Sequence, residues 1–279
     1  MAEDYRILPK RRADTHKGDY GRLLIIGGSV GYTGAPTLCA RAAVRAGAGL
    51  VSLGVPERIY DVTAVKNDEA MPFPLPDKNG LLSQDALPAI LERLRRSDVC
   101  VLGPGLGRSE ELTRLVFAVV AESGIPLVLD ADAINALSLD VSALDRTHAP
   151  IFLTPHDGEF RRLCDDGGDR ADETSAFAQQ HGVTVVRKGH ETVVAHPDGR
   201  RTVLRAGNPG MAKGGSGDVL AGVLGAFLCQ LPRETAAEAA VFAHGLAGDL
   251  CAERLGEYGM TPSDLIRALP EATKRMVSD

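Results

Sequence analysis

Residues 22–49 read "RLLIIGGSVGYTGAPTLCARAAVRAGAG", and this stretch indicates the fold class. It begins with a short apolar run, Arg22–Gly28, which is typical of a buried strand that ends in glycine. A glycine-rich loop follows, and the remainder predicts a helix with Pro36 in its first turn and Gly47 at its end. Strand, loop and helix in this order form the repeating unit of a parallel sheet.

The same unit recurs along the chain. Further strands, most of them followed by helical patterns, are predicted in "LVSLGVP", "DVCVLGPGLGR", "IPLVLDADAINAL" and "PIFLTPHDGEFRRL". Residues 182–204 differ, because their β-branched runs are joined by "KGHE" and "PDG", which favours hairpins near a sheet edge. After residue 215 the chain is predicted to be helical, with a last helix capped by Thr261 and opened by Pro262. We therefore expect an α/β fold with a mostly parallel central sheet and helices on both faces.

The chain shows no sign of a division into domains. It has 279 residues, which is long enough for one large α/β domain or two smaller ones. It has no proline- or serine-rich linker and no repeat of solenoid length. We therefore predict a single domain over residues 1–279.

Charge and aromatic content indicate which partners to expect. The formal net charge is −6, and the chain has no tryptophan and few other aromatic residues. A protein that binds nucleic acid or an anionic membrane usually presents a basic face, and single-stranded nucleic acid is usually held by stacked aromatic rings. We therefore expect small-molecule partners, and neither nucleic acid nor a membrane.

Cysteine usage and the N-terminus indicate a cytoplasmic protein. The five cysteines are odd in number and widely spaced, with no C-x-x-C pair, which favours reduced thiols. The start "MAEDYRILPKRR" lacks the apolar core of a signal peptide. No run approaches the roughly 18 apolar residues that a membrane-spanning helix needs.

Glycine-rich or polar turns follow the predicted strands at five places. They are "GGSVGYTG", "GPGLG", "DAD", "TPHDGE" and "KGHE". Ligands of open parallel sheets bind at the carboxyl ends of the strands. Because these turns are distant in sequence, we expect their convergence on one sheet edge to form the site.

The string "GGSGD", Gly214–Asp218, is the strongest single motif. Gly214, Gly215, Ser216 and Gly217 precede an apolar helix, and their N–H groups can close around an anion. The helix adds its positive N-terminal end, so we interpret the loop as a phosphate cradle. Asp218 at the mouth of this cradle suits a base that deprotonates a hydroxyl for attack on phosphorus. The alternative is an ordinary aspartate N-cap.

Other nucleotide-binding patterns are absent or weak. The chain contains no Walker string, and "GPGLG" (Gly103–Gly107) does not match the dinucleotide fingerprint G-x-G-x-x-G. "GPGLG" either admits close approach of a ligand or forms a tight strand-to-helix turn. For Lys213, next to the cradle, contact with phosphate and simple solvation stay open alternatives.

The string "TPHDGEF" places His156 and Glu159 three residues apart. Both side chains face one cleft if a helix begins here, where His156 could donate to an amide or a phosphate. Glu159 could hold Mg²⁺ through water, whereas the spacing is not that of a zinc site. The alternative is a helix start that resembles a capping box, with Thr154 or Asp157 as the cap.

Two further strings have structural alternatives. In "DADAIN" we interpret Asp130 or Asp132 as a helix cap, with a pair of acid–base carboxylates as the alternative. In "RKGHET", backbone after Lys188 could line an adenine and Lys188 could meet phosphate, or the string is a simple hairpin turn. The remaining histidines show no partner pattern and are interpreted as surface or satisfied core residues: His16, His148, His181, His196 and His244.

The motifs occur together in one order, and the chain thereby resembles the ADP-dependent NAD(P)H-hydrate dehydratases, a family with the ribokinase-like fold. The resemblance spans about Gly18 to Leu269 and rests on these strings: "GRLLIIGGSVGYTGAPTLCARAAVRAGAGLVSLGVP", "VLGPGLGR", "LVLDADAINAL", "LTPHDGEF", "VVRKGHETVV" and "NPGMAKGGSGDVLAGVLGAFL". Some members of this family carry an additional epimerase domain. The chain is expected to be the stand-alone form.

The resemblance implies an activity and a set of residues. The family dehydrates (6S)-NADHX and (6S)-NADPHX, uses ADP as co-substrate, and releases AMP and phosphate. It implies Mg²⁺ and a homotetramer. It implies that Ala35, Gly105, His156 and Asp218 contact the hydrate. It places the adenine nucleotide against Gly217 and the segment Lys188, Gly189, His190, Glu191 and Thr192.

The chain departs from the family pattern at three positions. The family usually has proline where Asp157 stands, so we expect a looser turn under His156. It has threonine at the positions of Lys213 and Ser216. The glycines, His156 and Asp218 are retained, so we expect the reaction to be retained.

Two rival functions remain at the level of sequence. A ribokinase-like kinase for a small hydroxylated molecule would use the same cradle and the same Asp218. A catalytically silent nucleotide-sensing module would need the cradle without a base, whereas Asp218 is present.

Overall fold

The computed structural model describes residues 5–164 and 167–278. Its strands are β1 (Arg22–Ile26), β2 (Leu50–Pro56), β3 (Met71–Leu75), β4 (Asp77–Lys78), β5 (Leu81–Leu82), β6 (Val99–Leu102), β7 (Leu127–Leu129), β8 (Ile151–Leu153), β9 (Thr184–Arg187), β10 (Thr192–Ala195) and β11 (Arg201–Leu204). Its helices are α1 (Gly34–Arg45), α2 (Tyr60–Lys66), α3 (Leu87–Leu94), α4 (Glu110–Glu122), α5 (Asp132–Leu137), α6 (Asp157–Leu163), α7 (Arg170–His181), α8 (Ser216–Leu228), α9 (Arg233–Gly259) and α10 (Pro262–Arg275). No described helix combines the length and hydropathy that would let it cross a bilayer.

Nine strands form one sheet in the order β11-β10-β9-β8-β7-β6-β1-β2-β3. All neighbours from β9 to β3 are parallel, while β10 runs antiparallel to β9 and to β11. The mostly parallel sheet and the hairpins at its edge are therefore confirmed. Strands β4 and β5 form a separate small hairpin.

Side chains of the central strands alternate between two apolar layers. Leu23 and Ile25 of β1 pack with α1, α8, α9 and α10 on one face. Leu24 and Ile26 pack with α3 to α7 on the other face. Both faces of the sheet are thus buried, which explains why the central strands read as continuous apolar runs.

Helix α8 is buried almost throughout, from Val219 to Leu228. Its glycines allow close packing: a Cβ at Gly222 would lie 2.1 Å from the carbonyl oxygen of Cys39 in α1, and a Cβ at Gly225 would lie 2.7 Å from Val101 of β6. A helix that is apolar all round belongs inside a protein. This packing holds the first turn of α8 against the carboxyl edge of the sheet.

The order in which strands are added to the sheet reverses between β1 and β6: β2 and β3 lie on one side of β1, and β6 to β11 lie on the other. The loops that leave these two strands are joined, because Gly28 N donates to Pro104 O at 2.8 Å and Ser29 Oγ donates to Gly105 O at 2.8 Å. Such a switch point is where open α/β sheets bind ligands.

Candidate active site

A cavity of about 920 Å³ opens at the carboxyl ends of β7, β8 and β9. Its wall comes from the loops after these strands, from the segment between β11 and α8, and from the first turn of α8. Most of the predicted site residues line it: His156, Glu159, Lys188, Gly189, His190, Thr192, Gly214, Gly215, Ser216, Gly217 and Asp218. Segments distant in sequence therefore do converge on one pocket.

The first turn of α8 presents unpaired backbone donors to this cavity. Gly215 precedes the helix with φ +103°, a left-handed conformation that favours glycine. The first bond of the α-helical type runs from Val219 N to Gly215 O at 3.1 Å. The N–H groups of Gly217 and Asp218 precede that bond, so they have no acceptor within the helix. Together with the helix dipole they favour an anion at this position.

Lys188 lies beside this turn. Its Nζ is 2.8 Å from Asp130 Oδ1 and 3.1 Å from the position that a Cβ on Gly217 would occupy. Burial works against the charge on Lys188, but the carboxylates of Asp130 and Glu159 outweigh it and raise the pKa of the ammonium above its usual value. Lys188 therefore carries a positive charge beside the helix end.

Asp130 is not a helix cap, so that prediction is wrong. Its side chain is 1 % exposed, and its Oδ1 accepts from Lys188 and from Thr154 Oγ1 at 2.7 Å. Helix α5 begins one residue after Ala131, which has φ +47° and no capping side chain. Asp130 directly follows β7 and forms an ion pair with Lys188, which directly follows β9. Its partner is therefore distant in sequence. Left-handed backbone at a non-glycine residue concentrates at functional sites.

Asp132 is likewise not the cap of α5 but its first residue. Its Oδ2 accepts from Gly107 N at 2.8 Å, which ties the glycine-rich loop after β6 to the loop after β7. Asp132 also contributes to the negative potential at Asp218.

Asp218 has a strongly perturbed carboxyl group. Burial is the main cause, the nearby charge of Asp130 adds to it and Lys188 partly opposes it, so that the pKa of Asp218 is raised to about 7. A carboxylate with a pKa near neutrality is a suitable general base, since it takes up a proton readily and about half of it is still ionised at neutral pH.

His156 caps helix α6, so the capping alternative describes the geometry, with a different cap from the one expected. His156 Nδ1 accepts from Glu159 N at 3.1 Å, and Glu159 Oε2 accepts from His156 N at 2.9 Å. Since Nδ1 is an acceptor, the neutral ring carries its proton on Nε2. The His156 side chain is 56 % exposed and lines the cavity, and its Nε2 lies 3.5 Å from Glu159 Oε1.

No group of three carboxylate, histidine or cysteine side chains among residues 5–164 and 167–278 is arranged to hold a metal ion. Glu159 uses one oxygen for the backbone of His156. A protein cage for a cation is therefore absent from this part of the chain.

The predicted hydrate residues Ala35 and Gly105 lie apart from the cavity lining. Gly105 has φ +65°, and a Cβ there would lie 3.0 Å from the Cβ of Ala35. The two residues thus meet where the loops after β1 and β6 join. Glu191 points elsewhere, with its Oε1 at 2.7 Å from Nε of Arg205.

Comparison with known proteins identifies the family. A family model described as NAD(P)H-hydrate dehydratase matches residues 23–271.

The chain belongs to the NAD(P)H-hydrate dehydratase family.

The sequence relatives are longer than this chain. The bifunctional NAD(P)H-hydrate repair enzyme of Moorella thermoacetica is 42 % identical over 276 residues, which are 96 % of this chain and 52 % of that protein. The chain therefore spans about half the length of the curated relatives it matches.

Solved structures confirm the ribokinase-like fold of this family member. A ribokinase-like superfamily protein of Enterococcus faecalis has a TM-score of 0.86 at 27 % identity, covering 99 % of this chain and 94 % of that one. The ADP/ATP-dependent NAD(P)H-hydrate dehydratase of Bacillus subtilis, co-crystallised with ATP and Mg²⁺, has a TM-score of 0.81 at 29 % identity. It covers 98 % of this chain and 96 % of that one.

The two residues that stand where the family usually has threonine, Lys213 and Ser216, have different surroundings. Lys213 Nζ donates to the carbonyl oxygens of Tyr258 at 2.7 Å and Met260 at 2.5 Å. It ties the cradle loop to the end of α9, so neither phosphate contact nor simple solvation describes it. Ser216 is 8 % exposed and its Oγ is buried without a hydrogen-bond partner among the described residues.

His244 was missed at the level of sequence. It lines the cavity from α9, and its Nε2 is buried without a hydrogen-bond partner in the described chain. Burial lowers its pKa to about 4, so the ring is neutral. A lone histidine in an alanine-rich helix gives no sequence signal, because its surroundings come from α8 and the cradle loop.

Proposed function

We propose that this chain catalyses the ADP-dependent dehydration of (6S)-NADHX and (6S)-NADPHX to NADH and NADPH, with release of AMP and phosphate. Membership of the dehydratase family supports the reaction class. The observation that carries the proposal is Asp218, whose pKa is raised to about 7 at the helix end that favours an anion.

In this proposal the nucleotide occupies the cavity. The β-phosphate of ADP lies at the cradle Gly214–Gly217, near the ammonium of Lys188, and the adenine lies along Lys188–Thr192. Apolar side chains of Ala206, Met211 and Val241 line the same cavity and suit a planar base. The co-crystallisation of the Bacillus subtilis dehydratase with ATP and Mg²⁺ supports a nucleotide here.

The hydrated nicotinamide ring then lies between the cavity and the loops after β1 and β6. Ala35 and Gly105 form a small-residue surface there, which leaves room for close approach of a ring. His156 presents its Nε2 donor to a polar group of the hydrate, and Asp218 lies beside the C6 hydroxyl.

Chemically, hydroxide is a poor leaving group and phosphate is a good one. Asp218 takes the proton from the C6 hydroxyl as that oxygen attacks the β-phosphorus of ADP, and AMP leaves. The N–H groups of Gly217 and Asp218 stabilise the charge on the transferred phosphoryl group. The ring nitrogen then supplies the electron pair that expels phosphate from C6, and loss of the C5 proton restores the dihydropyridine.

Mg²⁺ fits this site as a companion of the nucleotide. The described residues offer no cage, but Asp130 and Glu159 face the cavity and could hold its waters. When bound, Mg²⁺ would neutralise charge on the phosphates.

The proposal extends to assembly and location. The resemblance to the family supports a homotetramer. Cys39, Cys100, Cys229 and Cys251 are free thiols, which supports a cytoplasmic protein. The nine-stranded sheet supports a single domain.

A product assay tests the function directly. Purified protein is incubated with ADP, Mg²⁺ and a mixture of (6S)- and (6R)-NADHX, and NADH absorbance, AMP and phosphate are measured. We expect the three products in equal amounts and only with nucleotide present. A phosphorylated hydrate without NADH would indicate a kinase, and ADP binding without any product would indicate a nucleotide sensor.

A further inference from the structure

The guanidinium of Arg170 lies beneath the loop that joins β9 to β10. Its Nη2 donates to the carbonyl oxygens of Arg187 and Lys188, both at 2.9 Å, and its Nη1 donates to the carbonyl oxygen of Glu191. One side chain thus holds backbone at both ends of the Lys188–Thr192 segment. The rigid planar fork of arginine suits such multiple contacts, whereas the single ammonium of lysine does not.

The absence of a side chain at Gly189 makes room for this guanidinium. A Cβ at Gly189 would lie 2.6 Å from Arg170 Nη2 and 3.1 Å from Cζ. The loop therefore closes over Arg170 only because position 189 has no side chain.

Asp157 fixes Arg170 from the other side. Its Oδ1 accepts from Nε of Arg170 at 3.0 Å and from Nε of Arg187 at 2.7 Å. Burial opposes ionisation of Asp157, but the hydrogen bonds from Arg187 and Arg170 outweigh it and lower its pKa. Two guanidinium groups therefore contact the turn at the position where the family usually has proline.

The backbone completes the link between the two loops. Lys188 N donates to Pro155 O at 2.8 Å, and His156 pairs with Lys188 in a parallel bridge. Asp157 follows His156 directly. Arg170 and Asp157 therefore tie the segment that carries His156 to the segment Lys188–Thr192.

We propose that Arg170, held by Asp157, is a positioning residue that sets the conformation of the nucleotide loop Lys188–Thr192. This inference rests on the proposed function, since it takes that loop to bind ADP. Arg170 acts through backbone carbonyls and contacts neither substrate. Asp130 separately holds the Lys188 side chain, so the effect of Arg170 should fall on nucleotide affinity rather than on the phosphoryl-transfer step.

The primary test measures ADP affinity by calorimetry and steady-state kinetics for Arg170→Lys. We expect Kd and KM for ADP to rise about tenfold, with kcat and KM for the hydrate within about twofold of wild type. Arg201→Lys is the matched control, because Arg201 pairs with Asp172 of the same helix α7 but does not contact the loop. A general loosening of α7 would change both variants.

A double-mutant cycle with Gly189→Ala sharpens the test. The added methyl would displace the guanidinium, so it should weaken ADP binding in wild type and add little in the Arg170→Lys background. Additive effects would contradict the proposal, because the methyl would then act on the nucleotide itself. Asp157→Asn, expected to weaken ADP binding in the same direction, replaces Arg170→Lys if the latter does not fold.

The outcomes separate this inference from the proposed function. Suppose that wild type binds ADP and forms NADH, and that Arg170→Lys has the same ADP affinity as wild type. The positioning role of Arg170 is then wrong, and the proposed function stands. If wild type neither binds ADP nor forms NADH, the proposed function fails and the inference fails with it.

Discussion

In the proposed mechanism, function and stability oppose each other at Asp218. Burial and the neighbouring Asp130 raise its pKa to about 7, against a usual value of 3.8. An acid whose pKa is raised by folding is ionised at a cost to the folded state. The same perturbation makes Asp218 a base of the strength that proton transfer at neutral pH needs.

The stability of Asp218→Asn should therefore depend on pH. In wild type the contribution of Asp218 favours the folded state at low pH and is lost as pH rises from about 4 to about 7. Asparagine cannot ionise, so at pH 8 the variant should be more stable by up to about 4 kcal/mol, while near pH 4 the two should differ little. Urea unfolding at the two pH values measures this. If the difference in unfolding free energy between the variant and wild type were the same at pH 4 and pH 8, ionisation of Asp218 would not destabilise the folded state.

Single residues were predictable from sequence where the backbone pattern carried the signal. Asp218 follows its glycines directly, and His156 lies at a helix start, so both could be found. Asp130 and His244 could not be assigned, because the groups that define their roles come from other elements: Lys188 at the end of β9 and the cavity wall around α8.

Among the elements, α8 matters most for the proposed site, since its first turn carries part of the proposed phosphate cradle and the proposed base, Asp218. Its position is set by Gly222 and Gly225, which pack closely against α1 and β6. At Gly222 a Cβ would lie 2.1 Å from the Cys39 carbonyl oxygen, a backbone atom that can move only with α1.

Gly222→Ala should separate α8 from α1 and destabilise the fold by about 1–3 kcal/mol, the usual cost of overpacking. Gly124→Ala is the control, because no atom lies within 4 Å of a Cβ at that position, and it should change stability by less than about 0.5 kcal/mol. Thermal or urea unfolding of both variants checks this. Equal stability of Gly222→Ala and wild type would show that α1 and α8 are not in tight contact.

Elements were predicted well from periodicity, because a buried strand and a capped helix are local patterns. The alternation of strands and helices, the edge hairpin and the cap at Thr261 all follow from residues close in sequence. The capping role of Asp130 failed for the opposite reason, since a residue at the end of a buried strand meets partners that are far away in the chain.

For the whole molecule, the sheet brings five sequence-distant loops to one edge. The loops after β7, β8 and β9 and the start of α8 line one cavity, while those after β1 and β6 join beside it. The convergence could be predicted because each of these loops follows a strand of a mostly parallel sheet, and the carboxyl ends of such strands share one edge. The sequence could not predict that Ala35 and Gly105 lie on a separate surface beside the cavity. That separation depends on the hydrogen bonds that join the loops after β1 and β6.

The central claim is that Asp218 is the base of a phosphoryl transfer from ADP. The most direct measurement compares kcat for ADP-dependent NADH formation by wild type and Asp218→Asn, with ADP affinity measured in parallel and the exposed Asp85→Asn as control. The account predicts a loss of about 10²–10⁴-fold in kcat for Asp218→Asn, with ADP affinity within a few-fold of wild type and Asp85→Asn fully active. An Asp218→Asn variant that forms NADH at the wild-type rate would contradict it.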